Sequence, residues 1–235
     1  MTVPPAAANF LAARSFVVAA TRGADGSVHA SLLAGPRGFA RTAGEDKLEL
    51  RPGSGHLTTV SEDVAATGVL GLLAIDFSTR RRMRANGNAR VRDGVIEMET
   101  REVYSNCPQY IHERADDVHP VAGGDETTFV LSADQRAFIE RADTFFIASA
   151  HPESGADASH RGGDPGFVRA EPTRLTWPDY PGNNMFNTLG NLLIDPRCTL
   201  LFVDFTNGAT LRVEGRARVD WSEERTITVD VDRVR

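Results

Sequence analysis

The chain has 235 residues, of which 41% are hydrophobic, and its formal net charge at pH 7 is −6. This length fits one large domain or two domains of ordinary size. The acidic balance argues against nucleic acid and anionic membranes as partners, because both require a basic surface. The longest apolar run, residues 69–75, is too short to cross a bilayer.

The number and spacing of the cysteine, lysine and histidine residues disfavour several kinds of chemistry. Cys107 and Cys198 are far apart in the sequence and form no CxxC pattern, so nothing demands a disulfide. The N-terminal residues lack a positively charged start before an apolar run, so we expect no secretory signal and a cytoplasmic location. Lys47 is the only lysine and lies at a predicted turn, which disfavours Schiff-base chemistry. His112 and His119 lack the spacing of metal ligands, so we expect no metal site.

Local patterns predict many short strands and few helices. Apolar runs rich in β-branched residues and bounded by turn residues predict strands, whereas runs with helical spacing predict helices. The predicted strands include residues 16–21, 28–33, 39–41, 47–50, 69–77, 81–92, 95–103 and 145–150, and the predicted helices are residues 8–14, 56–66, 107–114 and 133–142. The Asp93-Gly94 pair marks a hairpin between two of the strands.

The pattern then starts again at a constant offset of 128 residues. Residues 30–41 and 158–169 are identical at six of twelve positions, and residues 72–91 and 200–219 at nine of twenty. Chance would give about one identity in each pair. A shared offset across two separate blocks indicates a tandem duplication. Each copy should contain about six antiparallel strands with one helix after the fourth, a pattern typical of a small β-barrel.

The stretch from residue 157 to residue 192 is richest in candidate ligand-binding groups. It contains a glycine turn, arginines on or beside strands, and three asparagines with a threonine at a predicted helix start. Such donors, with little acid-base machinery, suit a phosphorylated cofactor with polar edges. Structural alternatives stay open, because Asn and Thr at helix starts often serve only as caps, and a histidine on a strand is often a satisfied core residue.

The order of motifs in the second copy resembles the pyridoxamine 5′-phosphate oxidase-like family of FMN-binding split barrels. The motifs are FFIASA, DASHRGGDPGFVR, LTWPDYPGNNMFNTLGNLLIDPR, LLFVDF and TLRVEGRARV, and they lie within residues 138–220. The first copy, residues 10–104, is similar more loosely, and SNCPQYI after it is similar to segments of relatives. The resemblance implies a mainly β fold of two tandem split β-barrel units forming a pseudo-dimer, with FMN at the interface of the barrels.

We predict a first copy at residues 1–115, a linker at 116–132 and a second copy at 133–235 that holds the main flavin site. The resemblance, together with the donor chemistry, predicts a set of cofactor-binding residues but no catalytic residue. The set is Ser159, His160, Arg161, Arg169, Asn183, Asn184, Asn187 and Thr188.

The two copies differ at six of these positions, all except Ser159 and Arg169, which predicts one FMN site per chain. At the offset of 128, Leu32 and Leu33 stand where the second copy has His160 and Arg161. The first copy should therefore act as the partner wall of the site. The candidates for this wall are Arg80, Arg82, Arg84 and residues 106–110.

The function that the resemblance implies is an FMN-dependent oxidoreductase with a small-molecule substrate or electron donor. The alternative is a non-catalytic protein that binds flavin or another cofactor, or an interaction module, on a degenerate split barrel. A homodimer of the pseudo-dimeric chain is compatible with both. The sequence ends inside a strand-like pattern, so a C-terminal extension like those of some relatives also stays an open expectation.

Overall fold

The computed structural model describes residues 1–53, 57–114, 126–181 and 186–235, and these ranges form fourteen strands and four helices. The first half contains α1 (Pro5–Ala12), β1 (Phe16–Arg22), β2 (Val28–Ala34), β3 (Ala40–Thr42), β4 (Lys47–Leu50), α2 (Leu57–Thr67), β5 (Val69–Asp76), β6 (Arg81–Arg92) and β7 (Val95–Asn106). The second half contains α3 (Ala133–Glu140), β8 (Thr144–His151), β9 (Gly155–Gly162), β10 (Arg169–Glu171), β11 (Arg174–Pro178), α4 (Asn187–Ile194), β12 (Arg197–Val203), β13 (Thr210–Asp220) and β14 (Thr226–Val234).

Each half forms one seven-stranded antiparallel sheet. The strand order is β2-β1-β5-β6-β7-β4-β3 in the first half and β9-β8-β12-β13-β14-β11-β10 in the second. The two orders are the same once strands are matched along the chain, and a helix follows the fourth strand of each half. The mainly β fold and the tandem layout are therefore confirmed, with seven strands per copy in place of about six. The two sheets are consistent with a pair of split barrels.

Alternate residues of the central strands face two different cores. In β1, Val17 faces the core of the first half, whereas Phe16 and Val18 face a third core between the halves. In β8, Phe145 faces the core of the second half and Phe146 faces the third core. Successive side chains of a strand point to opposite faces, so a strand buried on both faces needs apolar residues at every position. This explains the runs FVVAAT and FFIASA.

The halves meet along two equivalent contacts. In the first, β9 packs across β5 and β6, and in the second, β2 packs across β12 and β13. Gly71 permits the first crossing, because a Cβ on that residue would lie 2.4 Å from the carbonyl oxygen of Ala156. We call these contacts the first seam and the second seam.

The helix predicted at residues 107–114 is wrong. Strand β7 ends at Asn106, and the chain then runs to residue 114 with a turn but no helix. Tyr110 prevents the helix, because its positive φ of 62° is a left-handed conformation that ends a right-handed helix.

The predicted unit boundaries, residues 1–115, 116–132 and 133–235, stay a prediction. Much of the predicted linker lies outside the described residues. Within the part that is described, Thr128 forms a β-bridge with Val234, and Leu131 belongs to the core of the second half. None of the helices in the described ranges is long and apolar enough to span a membrane.

Candidate functional site

A buried ion pair joins the two halves at the first seam. Asp157 on β9 is 3% exposed, and Arg84 on β6 donates to both of its carboxylate oxygens, at 3.1 and 2.8 Å. Asn86 Nδ2, the Tyr104 hydroxyl and the Thr188 hydroxyl donate to the same carboxylate at 3.3, 3.3 and 3.4 Å. A carboxylate removed from water requires such donors. The five residues come from both halves, so this network helps to hold the halves together.

The same network contains further residues of the predicted site. Arg84 Nη2 donates to Ser159 Oγ at 2.7 Å, and Asn187 Nδ2 donates to the Tyr104 hydroxyl at 2.8 Å. Burial, and after it the neighbouring carboxylate, raise the pKa of Tyr104 to about 12, so its hydroxyl stays protonated. The structure therefore brings Ser159, Asn187 and Thr188 together, and each of them already has a partner within the protein.

A narrow cavity of about 40 Å³ adjoins this network at the C-terminal end of β9. Its lining includes Arg82 and Cys107 from the first half, and His160, Arg161 and Trp177 from the second. Arg82 Nη1 contacts His160 Nδ1 at 2.8 Å. A guanidinium can only donate, so Nδ1 is the acceptor, and the proton of the neutral imidazole lies on Nε2.

Several residues that line the cavity carry hydrogen-bond donors without acceptors. Within the described part of the chain, no partner is present for Nε and Nη2 of Arg161, Nε of Arg82, Nε2 of His160 or Nε1 of Trp177. Each of these atoms is buried, and a buried donor without an acceptor costs about 1–3 kcal/mol. An oxygen-rich ligand would satisfy several of them at once.

Burial dominates the electrostatics of this cavity. It is the main cause that lowers the pKa of Arg82 and of Arg161 to about 10; the charge of Arg84 contributes to both shifts, while Asp179 opposes that of Arg161. Burial and, after it, the nearby guanidinium groups hold the pKa of His160 well below its usual value. At neutral pH the cavity therefore has two positive charges beside a neutral imidazole. The Asp179 carboxylate also lines it but is paired with Arg225 Nε at 2.6 Å, so the balance favours an anion.

One predicted residue is not part of this arrangement, and two cannot be placed relative to it. Arg169 lies on β10 with its side chain 81% exposed, and its ion pair with Glu171 spans 3.9 Å. Asn183 and Asn184 lie outside the described residues. Of the predicted site, the described structure thus brings together Ser159, His160, Arg161, Asn187 and Thr188.

The first half contributes residues that were predicted only in part. Arg82 and Arg84 of the predicted wall reach β9, whereas Arg80 lines a different surface cleft. Asp157 and Tyr104 were not predicted. The difference between the two copies could have identified Asp157, because the first copy has His29 at the equivalent position. The same kind of difference between copies identified His160 and Arg161.

The second seam has different polar groups at the equivalent positions. Asp63 on α2 accepts a hydrogen bond from Thr21 Oγ1 at 2.5 Å and one from His29 Nδ1 at 2.7 Å. The hydrogen bond to Asp63 is the main cause that raises the pKa of His29. In the order Thr21, His29, Asp63, the residues at the offset of 128 are Ser149, Asp157 and Asn191. The carboxylate at the seam therefore lies on a strand in the second copy, as Asp157, and on a helix in the first copy, as Asp63.

The donor cavity has no equivalent among the described residues of the second seam. Leu32 and Leu33, which are 1% and 0% exposed, occupy the positions of His160 and Arg161. Apolar side chains at both positions leave no buried donor there to attract an anion.

Comparison with known proteins bears on the second half of the chain. Residues 131–231 match the family model described as pyridoxamine 5′-phosphate oxidase. The resemblance predicted from the motifs is therefore confirmed. A search of the curated proteins found no match.

Solved structures give remote likenesses. One is a Lactobacillus delbrueckii protein provisionally described as a pyridoxamine 5′-phosphate oxidase, with 12% identity, a TM-score of 0.38, and coverage of 46% of this chain and 95% of that one. A variant of HupZ from Group A Streptococcus has 11% identity, a TM-score of 0.36, and coverage of 44% and 98%. A FAD-binding protein from Mesorhizobium loti has 12% identity, a TM-score of 0.30, and coverage of 46% and 98%.

No group of three or more histidine, cysteine or acidic side chains that could hold a metal ion occurs in the described ranges.

Proposed function

Because residues 131–231 match the pyridoxamine 5′-phosphate oxidase family model, we propose that this chain binds FMN at the first seam and uses it as an oxidoreductase of a small molecule. The proposed contacts are Ser159, His160, Arg161, Asn187 and Thr188, with Arg82 from the first half. The predicted contacts of Arg169, Asn183 and Asn184 remain part of the proposal only as candidates for a more distant part of the ligand.

The observation that supports this proposal is the cavity of unpaired donors. Two half-buried arginines, Arg82 and Arg161, remain charged at neutral pH, since the pKa of each is about 10. A dianionic phosphate offers acceptors for Nε and Nη2 of Arg161 and for Nε2 of His160, which have none in the described structure. The residues present therefore fit the phosphate of FMN.

The size of the cavity limits what can enter it. Its volume of about 40 Å³ fits a group of a few heavy atoms, whereas sites for whole drug-sized ligands are about 300–1,000 Å³. The phosphate would therefore fill the cavity, and the rest of FMN would lie outside it. Ser159, Asn187 and Thr188, which belong to the hydrogen-bond network around Asp157, are candidates to contact that remainder.

The chain itself supplies binding and orientation. When bound, FMN would supply hydride or electron transfer at its flavin ring. His160 stays neutral near pH 7, so its Nε2–H is available as a donor to a ligand and the ring does not act as a cation. Tyr104 stays protonated and donates to Asp157 at 3.3 Å. These residues can orient a ligand and exclude water, and none of them acts as a general acid or base near pH 7.

Titration of the protein with FMN and with riboflavin tests the proposal. We expect one equivalent of FMN per chain and weaker binding of riboflavin, which lacks the phosphate. Arg161→Gln should weaken FMN binding by about 1.5–3 kcal/mol, or roughly tenfold to 150-fold, because a charge-assisted hydrogen bond is lost. Arg174→Gln, at an exposed ion pair with Asp230, is the matched control and should leave binding unchanged.

Two outcomes would count against the proposal. Two equivalents of FMN per chain would refute the single site, and an equal loss of FMN and riboflavin binding in Arg161→Gln would refute the phosphate contact. Binding of FMN without reduction by nicotinamide donors, or by any substrate tested, would favour the non-catalytic alternative.

A further inference from the structure

A surface cleft of about 290 Å³ lies between α1, the start of β6 and the end of β7. Arg80, Arg81 and Arg82 line it in succession, and none of the described residues that line it is acidic. Its volume is close to the lower limit of about 300 Å³ that is usual for small-molecule sites. We call it the arginine cleft. It is distinct from the donor cavity, because Arg82 is the only described residue that lines both.

The guanidinium groups of the arginine cleft have no carboxylate partner among the described residues. Most arginines of the chain do form an ion pair with a carboxylate, for example Arg90, which is 2.5 Å from Glu97. Asp76 stands opposite Arg81 in the pairing of β5 with β6, but it is paired with Arg14 at 2.9 Å. Like charges held close together repel one another, and an anion between them removes that cost.

The second copy shows that the turn before β6 does not need these arginines. At the offset of 128, the sequence Gly-Ala-Thr at residues 208–210 stands where the first copy has Arg-Arg-Arg at residues 80–82. The φ of Arg80 is 51° and that of Gly208 is 78°, so both turns use the left-handed conformation. Glycine adopts it without strain, whereas a residue with a side chain does not. The fold alone therefore favours glycine at position 80, and the arginine calls for another explanation.

The helix beside the cleft differs between the copies in the same direction. Ala6 of α1 lines the cleft, and α1 has no acidic residue in its first turn. Its counterpart α3 has Asp134 at the position equivalent to Ala6. The charge of Arg81 is held at the cleft wall, because its Cζ lies 5.4 Å from the ring centroid of Phe10, which also lines the cleft. The first copy thus concentrates positive charge here and keeps acidic side chains away.

We propose that the arginine cleft binds a small phosphate ester with at least two negative charges, at a site separate from that of the flavin phosphate. The planar guanidinium group offers paired N–H donors that match the oxygens of phosphate. A carboxylate brings one negative charge, whereas a phosphate monoester brings about 1.5–2 at pH 7 and a diphosphate brings more. Three adjacent guanidinium groups therefore favour phosphate over a single carboxylate. The site needs no flavin, so this inference does not rest on the proposed function.

Calorimetric titration of the full chain with pyrophosphate, at about 0.15 M salt so that distant charges are screened, tests the proposal. We expect saturable binding, weaker binding of inorganic phosphate and still weaker binding of acetate. Arg80→Gly should weaken pyrophosphate binding about tenfold or more, because a charge-assisted hydrogen bond is lost. The same variant should raise the melting temperature by roughly 2–4 °C, because glycine removes the strain of the positive φ. Weaker binding in a more stable variant cannot result from misfolding.

Two further variants separate the arginine cleft from its surroundings. Arg90→Gln, at an exposed ion pair on the same strand, is the matched control and should leave pyrophosphate binding unchanged. Arg161→Gln, in the donor cavity, should weaken FMN binding and retain the pyrophosphate site that Arg80→Gly weakens, while Arg80→Gly should leave FMN binding unchanged.

Three results would overturn the proposal. They are the absence of saturable pyrophosphate binding up to about 10 mM, equal pyrophosphate binding in Arg80→Gly and the unsubstituted protein, and loss of pyrophosphate binding in Arg161→Gln alone. Failure of FMN to bind would leave the pyrophosphate titrations unaffected, so the two proposals can fail separately.

Discussion

Replacing Asp157 with Asn should destabilise the protein far more than replacing an exposed aspartate. Arg84 is 2% exposed and lies 2.8 Å from the Asp157 carboxylate. Removal of one partner leaves the other charge buried without compensation, which costs about 3–5 kcal/mol of the free energy of unfolding. The control is Asp230→Asn at the Arg174–Asp230 pair, whose side chains are 47% and 36% exposed. This change should cost about 0–1 kcal/mol.

Urea denaturation followed by circular dichroism measures both values. With an m value of about 2–3 kcal/mol per M, Asp157→Asn should lower the midpoint by roughly 1–2 M. The double variant Arg84→Met with Asp157→Leu removes both charges and should be more stable than Asp157→Asn, because no charge is left without a partner. The reasoning fails if Asp157→Asn lowers the free energy of unfolding no more than Asp230→Asn does. It also fails if the double variant loses as much stability as its two single substitutions together.

The remaining predictions concern pH and glycine positions. Folding raises the pKa of His29, so the stability that this residue contributes is fully present below its unfolded-state pKa of about 6.5 and is lost as pH rises through its folded-state pKa. Folding lowers the pKa of His160, so the free energy of unfolding falls as pH drops below about 6.5. Thermal melts across pH should lose the first dependence in His29→Gln and the second in His160→Gln, and an unchanged profile in either variant would contradict the assignment. Gly71→Ala should lower the free energy of unfolding by about 1–3 kcal/mol, because its Cβ would lie 2.4 Å from the carbonyl oxygen of Ala156. Gly190→Ala, inside α4 with no atom within 4 Å of a new Cβ, should raise it by about 0.5–1 kcal/mol; equal effects of the two alanines would refute the steric argument.

The strands and the duplication were predictable because they depend on local patterns. A strand buried on both faces, such as β1 or β8, is apolar at every position, and this run can be seen without knowledge of its neighbours. The repeat offset then relates one half to the other. The predicted helix at residues 107–114 failed because a single residue, Tyr110, adopts a left-handed conformation that helical spacing does not reveal.

Only the part of the candidate site that the second half contributes could be predicted from local sequence patterns. Ser159, His160 and Arg161 lie in one short segment, so their shared location follows from sequence proximity. Their partners Arg82 and Arg84 lie more than seventy positions earlier in the chain, with contacts to His160 and Ser159 separated by 78 and 75 residues. No local pattern pairs such distant residues. Asp157 differs from His29 at the offset of 128, so the repeat marks the position, but its role becomes clear only once Arg84 is seen to pair with it.

The unequal seams respond to different changes. In a symmetric homodimer each substitution occurs at both equivalent contacts, so the two contacts weaken together. In this fused chain the first seam depends on Arg84 and Asp157, while the second contains the hydrogen bond of His29 to Asp63. A single substitution therefore weakens one contact and leaves the other intact, so each seam can change in sequence independently of the other.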